Sequence, residues 1–109
     1  GPTYLQQYVV PAGGRLVKAL VRTKTSQSDG AVHLDLFVGT NGTEDFSAGG
    51  SLIERSTVNM ASANTTYTFA FSGSSPFAEG NIVGIEMTPA VGPSDVNITC
   101  VWEYDFTNT

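Results

Sequence analysis

Apolar and polar positions alternate through most of this chain, most clearly at its end. Between residues 96 and 106 every even position is apolar: Val96, Ile98, Cys100, Trp102, Tyr104 and Phe106. The odd positions, Asn97, Thr99, Val101, Glu103 and Asp105, are mostly polar. A strand turns successive side chains to opposite faces, so this segment predicts one buried and one wet face. The even face carries the only Trp and the only Cys, and is expected to close the core. Residues 31–39 repeat the pattern, with Val32, Leu34, Leu36 and Val38 set against His33, Asp35 and Phe37. In residues 65–72, Tyr67, Phe69 and Phe71 oppose Thr66, Thr68 and Ala70. Residues 4–10, 51–60 and 82–88 read as further strands, the second weaker, with Ile53, Val58 and Met60 as its apolar points. Residues 15–25 are mixed. Val17, Ala19 and Val21 share one face, whereas the other carries Leu16 and Leu20 beside Lys18 and Arg22. That mixture predicts a strand whose outer face is partly covered.

Turn residues separate these runs, including Pro11-Ala12-Gly13-Gly14 and Gly73-Ser74-Ser75-Pro76. Residues 39–50 form a polar loop that is long for a compact domain, and such loops are often functional. No gap-free helical period is present. The expected architecture is all-β: a single antiparallel β-sandwich of jelly-roll type with seven or eight strands. One domain is expected over residues 3–109, with Gly1-Pro2 set aside as a tag-cleavage scar. The expected core includes Val17, Val21, Leu34, Leu36, Tyr67, Phe69, Phe71, Ile98, Cys100 and Trp102.

Charge adds one asymmetry. Arg15, Lys18, Arg22 and Lys24 lie within ten residues, only Arg55 follows, and all ten acids lie at or after Asp29. The basic stretch reads either as a solvated strand face or as a contact for an acidic neighbour such as Glu103 and Asp105, in the same copy or another. The net charge of −5 argues against general nucleic-acid binding, which rests on basic surface. No apolar run reaches membrane-spanning length, so no membrane insertion is expected.

Candidate chemistry is sparse. The single Cys rules out an internal disulfide and reads as a packed, inert thiol. His33 stands alone, with Asp35 beside it on the same strand face, and reads as a surface residue rather than a zinc ligand. Glu44-Asp45 and Glu103/Asp105 are local carboxylate pairs that read as surface acids. Neither EF-hand spacing nor a phosphate-cradling Gly-rich loop occurs. No catalytic residue, cofactor or metal is expected. Phe46, beside Glu44 and Asp45 in the long loop, is the best candidate contact point, although it could also anchor that loop within its own subunit.

The chain has an ordered layout: it begins with residues 9–19 (VVPAGGRLVKA), continues through 32–42 (VHLDLFVGTNG) and 77–87 (FAEGNIVGIEM), and closes with a last strand ending Val101-Trp102-Glu103-Tyr104-Asp105. This resembles small β-sandwich domains in virion proteins of tailed bacteriophages, cyanophages especially. In those, a strand, a strand ending in Asn-Gly, and a Phe-x-x-Gly-Asp/Asn-x-hydrophobic step recur in that order. The resemblance implies a non-enzymatic protein on the virion surface that forms a homotrimer. Such a protein acts either as a tail-fibre domain recognising host-surface glycan or protein, or as a decoration protein clamping the major capsid protein. The family has no fixed functional residues to carry over.

Overall fold

In the computed structural model, residues 3–28, 30–40, 44, 46, 50–74 and 76–107 are described. Among the described residues there are seven strands: β1 (Thr3–Val9), β2 (Gly13–Arg22), β3 (Val32–Gly39), β4 (Ser51–Val58), β5 (Tyr67–Ala70), β6 (Ile82–Thr88) and β7 (Asn97–Asp105). They form two antiparallel sheets. Sheet A has the order β1-β6-β3-β4 and sheet B the order β5-β2-β7. Only the β3–β4 link joins hydrogen-bonded neighbours; the other five links change sheets. The fold is thus all-β and sandwich-like.

The inward faces supply the core. Leu16, Ala19 and Val21 of β2 and Phe69 of β5 meet Val32, Leu34 and Leu36 of β3 and Val83, Ile85 and Met87 of β6, all at most 1 % exposed. Period-2 alternation fulfils its promise in β3 and β5. In β2 it does not. Leu16 faces Trp102 but Lys18 faces Val101, so Val17 is the extra residue of a bulge. Before the bulge the even residues point inward; after it the odd ones do. Val17 therefore leaves the core and Leu16 enters it, contrary to the expected face. The mixed apolar and basic residues on one parity reflect this switch rather than a covered outer face. A second register shift, between Leu36 and Phe37, makes Ile53 of β4 the extra residue, and it is 43 % exposed.

The last strand also differs from expectation. β7 lies at the edge of sheet B, so its inward row is only half-buried at Ile98, Cys100, Trp102 and Tyr104, while Phe106 is exposed. The four half-buried side chains pack against the core without belonging to it. Tyr67 is likewise half-buried.

Loops are tied down by specific bonds. Gln27 is fully buried, with its backbone N–H donating to the Met60 carbonyl (3.0 Å) and its Oε1 accepting from Val91 N–H (2.9 Å). One residue thus joins three connections at one end of the sandwich. At the other end, the Phe77-Ala78-Glu79-Gly80-Asn81 step has a physical basis. Phe77 is buried, Gly80 takes a left-handed φ of +84°, and Asn81 Oδ1 accepts the Ala78 N–H at 2.9 Å.

Candidate binding face

The candidate residues fall on two different surfaces. β2 is the central strand of sheet B, and its outward side chains are Arg15, Lys18, Leu20 and Arg22. β7 places Glu103, Val101, Thr99 and Asn97 opposite these four in turn. On the other side, β5 places Ala70 opposite Lys18 and Thr68 opposite Leu20, with Thr66 just beyond. Arg15 Nε donates to Glu103 Oε1 at 3.0 Å, so the anticipated contact between base and acid forms within one copy. Both side chains are solvated, which limits the pair to at most about 1 kcal/mol. Lys18 and Arg22 are exposed and make no ion pair among the described residues.

Of the two remaining candidates near this sheet, Lys24 lies off the face and Asp105 lies at its far end, beside the Arg15–Glu103 pair. Lys24 is exposed past the Arg22 end of β2, with its backbone N–H donating to Ser94 O at 3.0 Å. Asp105 sits at the opposite end, facing Gly13. The Thr107 hydroxyl and backbone N–H donate to its Oδ1 at 2.6 and 2.9 Å and hold the carboxyl below its usual range. Two shallow depressions mark the face. One, by the ion pair, is lined by Arg15, Ser74 and Glu103 among others; the second involves Leu20, Arg22, Thr66, Asn97 and Thr99.

Phe46 and Glu44 belong to the opposite surface. Both lie over the outer face of sheet A, where Gln7 Nε2 donates to the Glu44 carbonyl at 3.0 Å. Phe46 is 4 % exposed and lies over Gly84 of β6, with its ring 6.1 Å from that of Phe37. It anchors its own loop and is not presented for contact, which corrects its ranking as the best contact point. Glu44 is exposed, and Asp45 lies outside the described residues.

Asp35 is the residue most misjudged from sequence. It points outward from sheet A, yet it is 1 % exposed. Arg55 of β4, directly opposite in register, grips both carboxylate oxygens at 2.8 and 2.9 Å. His33 does not pair with it; His33 Nδ1 instead lies 2.9 Å from Thr57 Oγ1. A neighbouring carboxylate, Glu54, accepts the backbone N–H groups of Ser72 (2.7 Å) and Gly73 (2.8 Å). Burial pushes the Glu54 carboxyl up, but these bonds together outweigh it and the net direction is down.

An aromatic seam closes the side where the edge strands β1 and β7 meet. Tyr8 stands edge-on to Trp102 at 5.5 Å, and Phe77 contacts Trp102 at 5.8 Å and Tyr104 at 6.3 Å. Burial, then a hydrogen bond with Tyr104, raises the Tyr8 phenol well above its normal range. Burial pushes the Cys100 thiol up to about 11, which keeps it a poor nucleophile. Phe106, 59 % exposed and with its ring 5.9 Å from that of Tyr104, extends this seam into solvent.

Among the described residues, no three His, Cys, Asp or Glu side chains are grouped as metal ligands would be. No helix among them is long and apolar enough to cross a membrane. Comparison with known proteins gives no match: no family model fits the chain, and no curated protein and no solved structure is significantly similar to it.

Proposed function

We propose that this chain is a non-enzymatic structural protein of a tailed-bacteriophage virion, a homotrimeric tail-fibre domain that binds the host surface. The observation that carries this reading is the outer face of sheet B. It is open to solvent with two shallow depressions, it gathers Arg15, Lys18 and Arg22 on one strand of an acidic chain, and it joins these bases to a row of hydroxyl and amide side chains. A surface of that kind suits adhesion to an extended partner better than it suits chemistry on a small molecule.

A jelly-roll arrangement is supported by the five sheet-changing links, since two interleaved Greek keys carry the chain repeatedly from one sheet to the other. The homotrimer is supported by the half-exposed row of Ile98, Cys100, Trp102 and Tyr104, with the exposed Phe106 beside it. A second copy covering that row would also shield the open edge of β7. Light scattering should then give three times the 11.5 kDa chain mass, and a monomer at high concentration contradicts it.

Immunogold labelling of intact phage particles tests the role itself. Label at the tail-fibre tips is expected. Label spread over the capsid shell would instead indicate the decoration role, with the major capsid protein as partner.

A further inference from the structure

We infer that the outer face of sheet B binds a linear anionic polysaccharide, one carrying carboxylate or sulfate/phosphate groups along its length. This rests on the reading of the chain as a host-surface binding module and specifies the chemical class of what it binds.

Charge is the first argument. Four of the five bases, Arg15, Lys18, Arg22 and Lys24, lie on β2 or just past its end, although the chain as a whole carries −5. The acids on the face are Glu103, which Arg15 already engages, and Asp105, which lies beyond Arg15 at the end away from Lys18 and Arg22 and accepts from Thr107. Lys18 and Arg22 make no ion pair among the described residues, so their positive potential is left facing solvent.

Shape is the second. The bases follow one strand, so they form a line. At roughly 3.3 Å per residue, Lys18 and Arg22 stand about 13 Å apart along the sheet. A line of separated cations on an open surface matches a chain with charges repeated along it better than a compact anion. The depression around Arg22 is shallow and opens onto this line.

The flanks supply the third argument. Thr66 and Thr68 run along one side of β2, and Asn97 and Thr99 run along the other, all exposed. Hydroxyls and a carboxamide both donate and accept, which matches the hydroxyl groups of a sugar chain. No aromatic side chain lies on this face among the described residues. Recognition of a neutral glycan by ring stacking therefore has no platform here. Single-stranded nucleic acid, which relies on such stacking, lacks one as well.

The test is biolayer interferometry on immobilised polygalacturonate, dextran sulfate, neutral dextran and polyglutamate at low ionic strength. Wild type should bind polygalacturonate or dextran sulfate, whichever carries the matching charged group. It should not bind neutral dextran, and polyglutamate should bind distinctly more weakly. Binding should weaken with added salt. The Lys18→Glu/Arg22→Glu variant should lose about tenfold or more in affinity, and Lys18→Gln/Arg22→Gln an intermediate amount, with melting temperatures unchanged because both side chains are exposed. Absence of binding to both acidic polysaccharides, or unchanged binding by both double variants, overturns the inference. Equal or tighter binding to polyglutamate also overturns it, and assigns the face to an acidic protein surface. Tip-labelled virions without polysaccharide binding would sink this inference and leave the tail-fibre reading standing. Polysaccharide binding without virion label would do the reverse.

Discussion

Gly84→Ala probes how the long loop is held on sheet A. A Cβ on Gly84 would lie 2.6 Å from Phe46 Cε2 and 2.8 Å from Cδ2, inside the distance that carbon atoms tolerate. The ring rests on the strand backbone, so it must lift away. Full burial of a Phe side chain is worth about 1.5–3 kcal/mol, and Phe46 is 4 % exposed. Losing that anchorage should cost about 2 kcal/mol, or a melting temperature lower by roughly 8 °C for a domain of this size. Phe46→Ala should cost a similar amount by deleting the same contact. The informative variant is the double. With the ring gone, the methyl added at position 84 occupies vacated space and stiffens a strand that glycine weakens. Phe46→Ala/Gly84→Ala should therefore be no less stable than Phe46→Ala alone, a coupling of about 2 kcal/mol between the positions. Urea unfolding of the four proteins measures this. Additive losses, near 4 kcal/mol in the double variant, would refute the placement of Phe46 over Gly84.

Three further outcomes follow from the same geometry. Arg55→Ala strands the buried Asp35 carboxylate and should cost about 2–3 kcal/mol in urea unfolding, below the 3–5 of a fully enclosed pair because the Arg55 side chain is 48 % exposed; Arg55→Lys, which cannot make the two-pronged contact, should recover only part. Glu54 is held below its ordinary value of 4.5, so its stabilising effect is complete above that pH and is lost as pH falls through the lower folded value. Glu54→Gln should accordingly be less stable than wild type at neutral pH and converge with it as pH falls through the lowered folded value; a gap that stays constant on acidification would contradict the bonding to Ser72 and Gly73. With its thiol pushed up to about 11, native Cys100 should react with a disulfide reagent at pH 8 roughly a hundredfold more slowly than the unfolded chain, and comparable rates would show that it is not packed in the seam.

Strand identity was legible because one side of each sheet is wet. In β3 and β5 the alternation of Val32, Leu34 and Leu36, or of Phe69 and Phe71, reports the buried face directly. In β2 the same rule fails at Val17, since the bulge in the pairing with β7 shows in the sequence only as mixed apolar and basic residues on one parity, which a partly covered face would produce equally well. The apolar row of β7 was read correctly as one face, but its half-exposure depends on the strand lying at a sheet edge, a matter of topology. Asp35 shows a further limit. Its partner Arg55 is 20 residues away and becomes its neighbour only once the β3–β4 register is set, so a carboxylate on a wet-looking face proves to be sealed. Phe46 was recognised as a loop contact, but nothing local indicates that Gly84 supplies the flat surface beneath it. Of the candidate contacts, the cluster Arg15, Lys18 and Arg22 with Glu103 was visible as charge along the chain. The flanking Thr66, Thr68, Asn97 and Thr99 emerge only when β5 and β7 are aligned on β2.

The central claim is that the outer face of sheet B is the binding surface. Backbone amide chemical-shift mapping during titration with polygalacturonate or dextran sulfate tests it most directly. The account predicts shifts concentrated on β2 from Arg15 to Arg22 and on the facing residues of β5 and β7, with little change on sheet A. Shifts centred on the loop over Gly84 or on β3 and β4, or no shifts with either polymer, would contradict it.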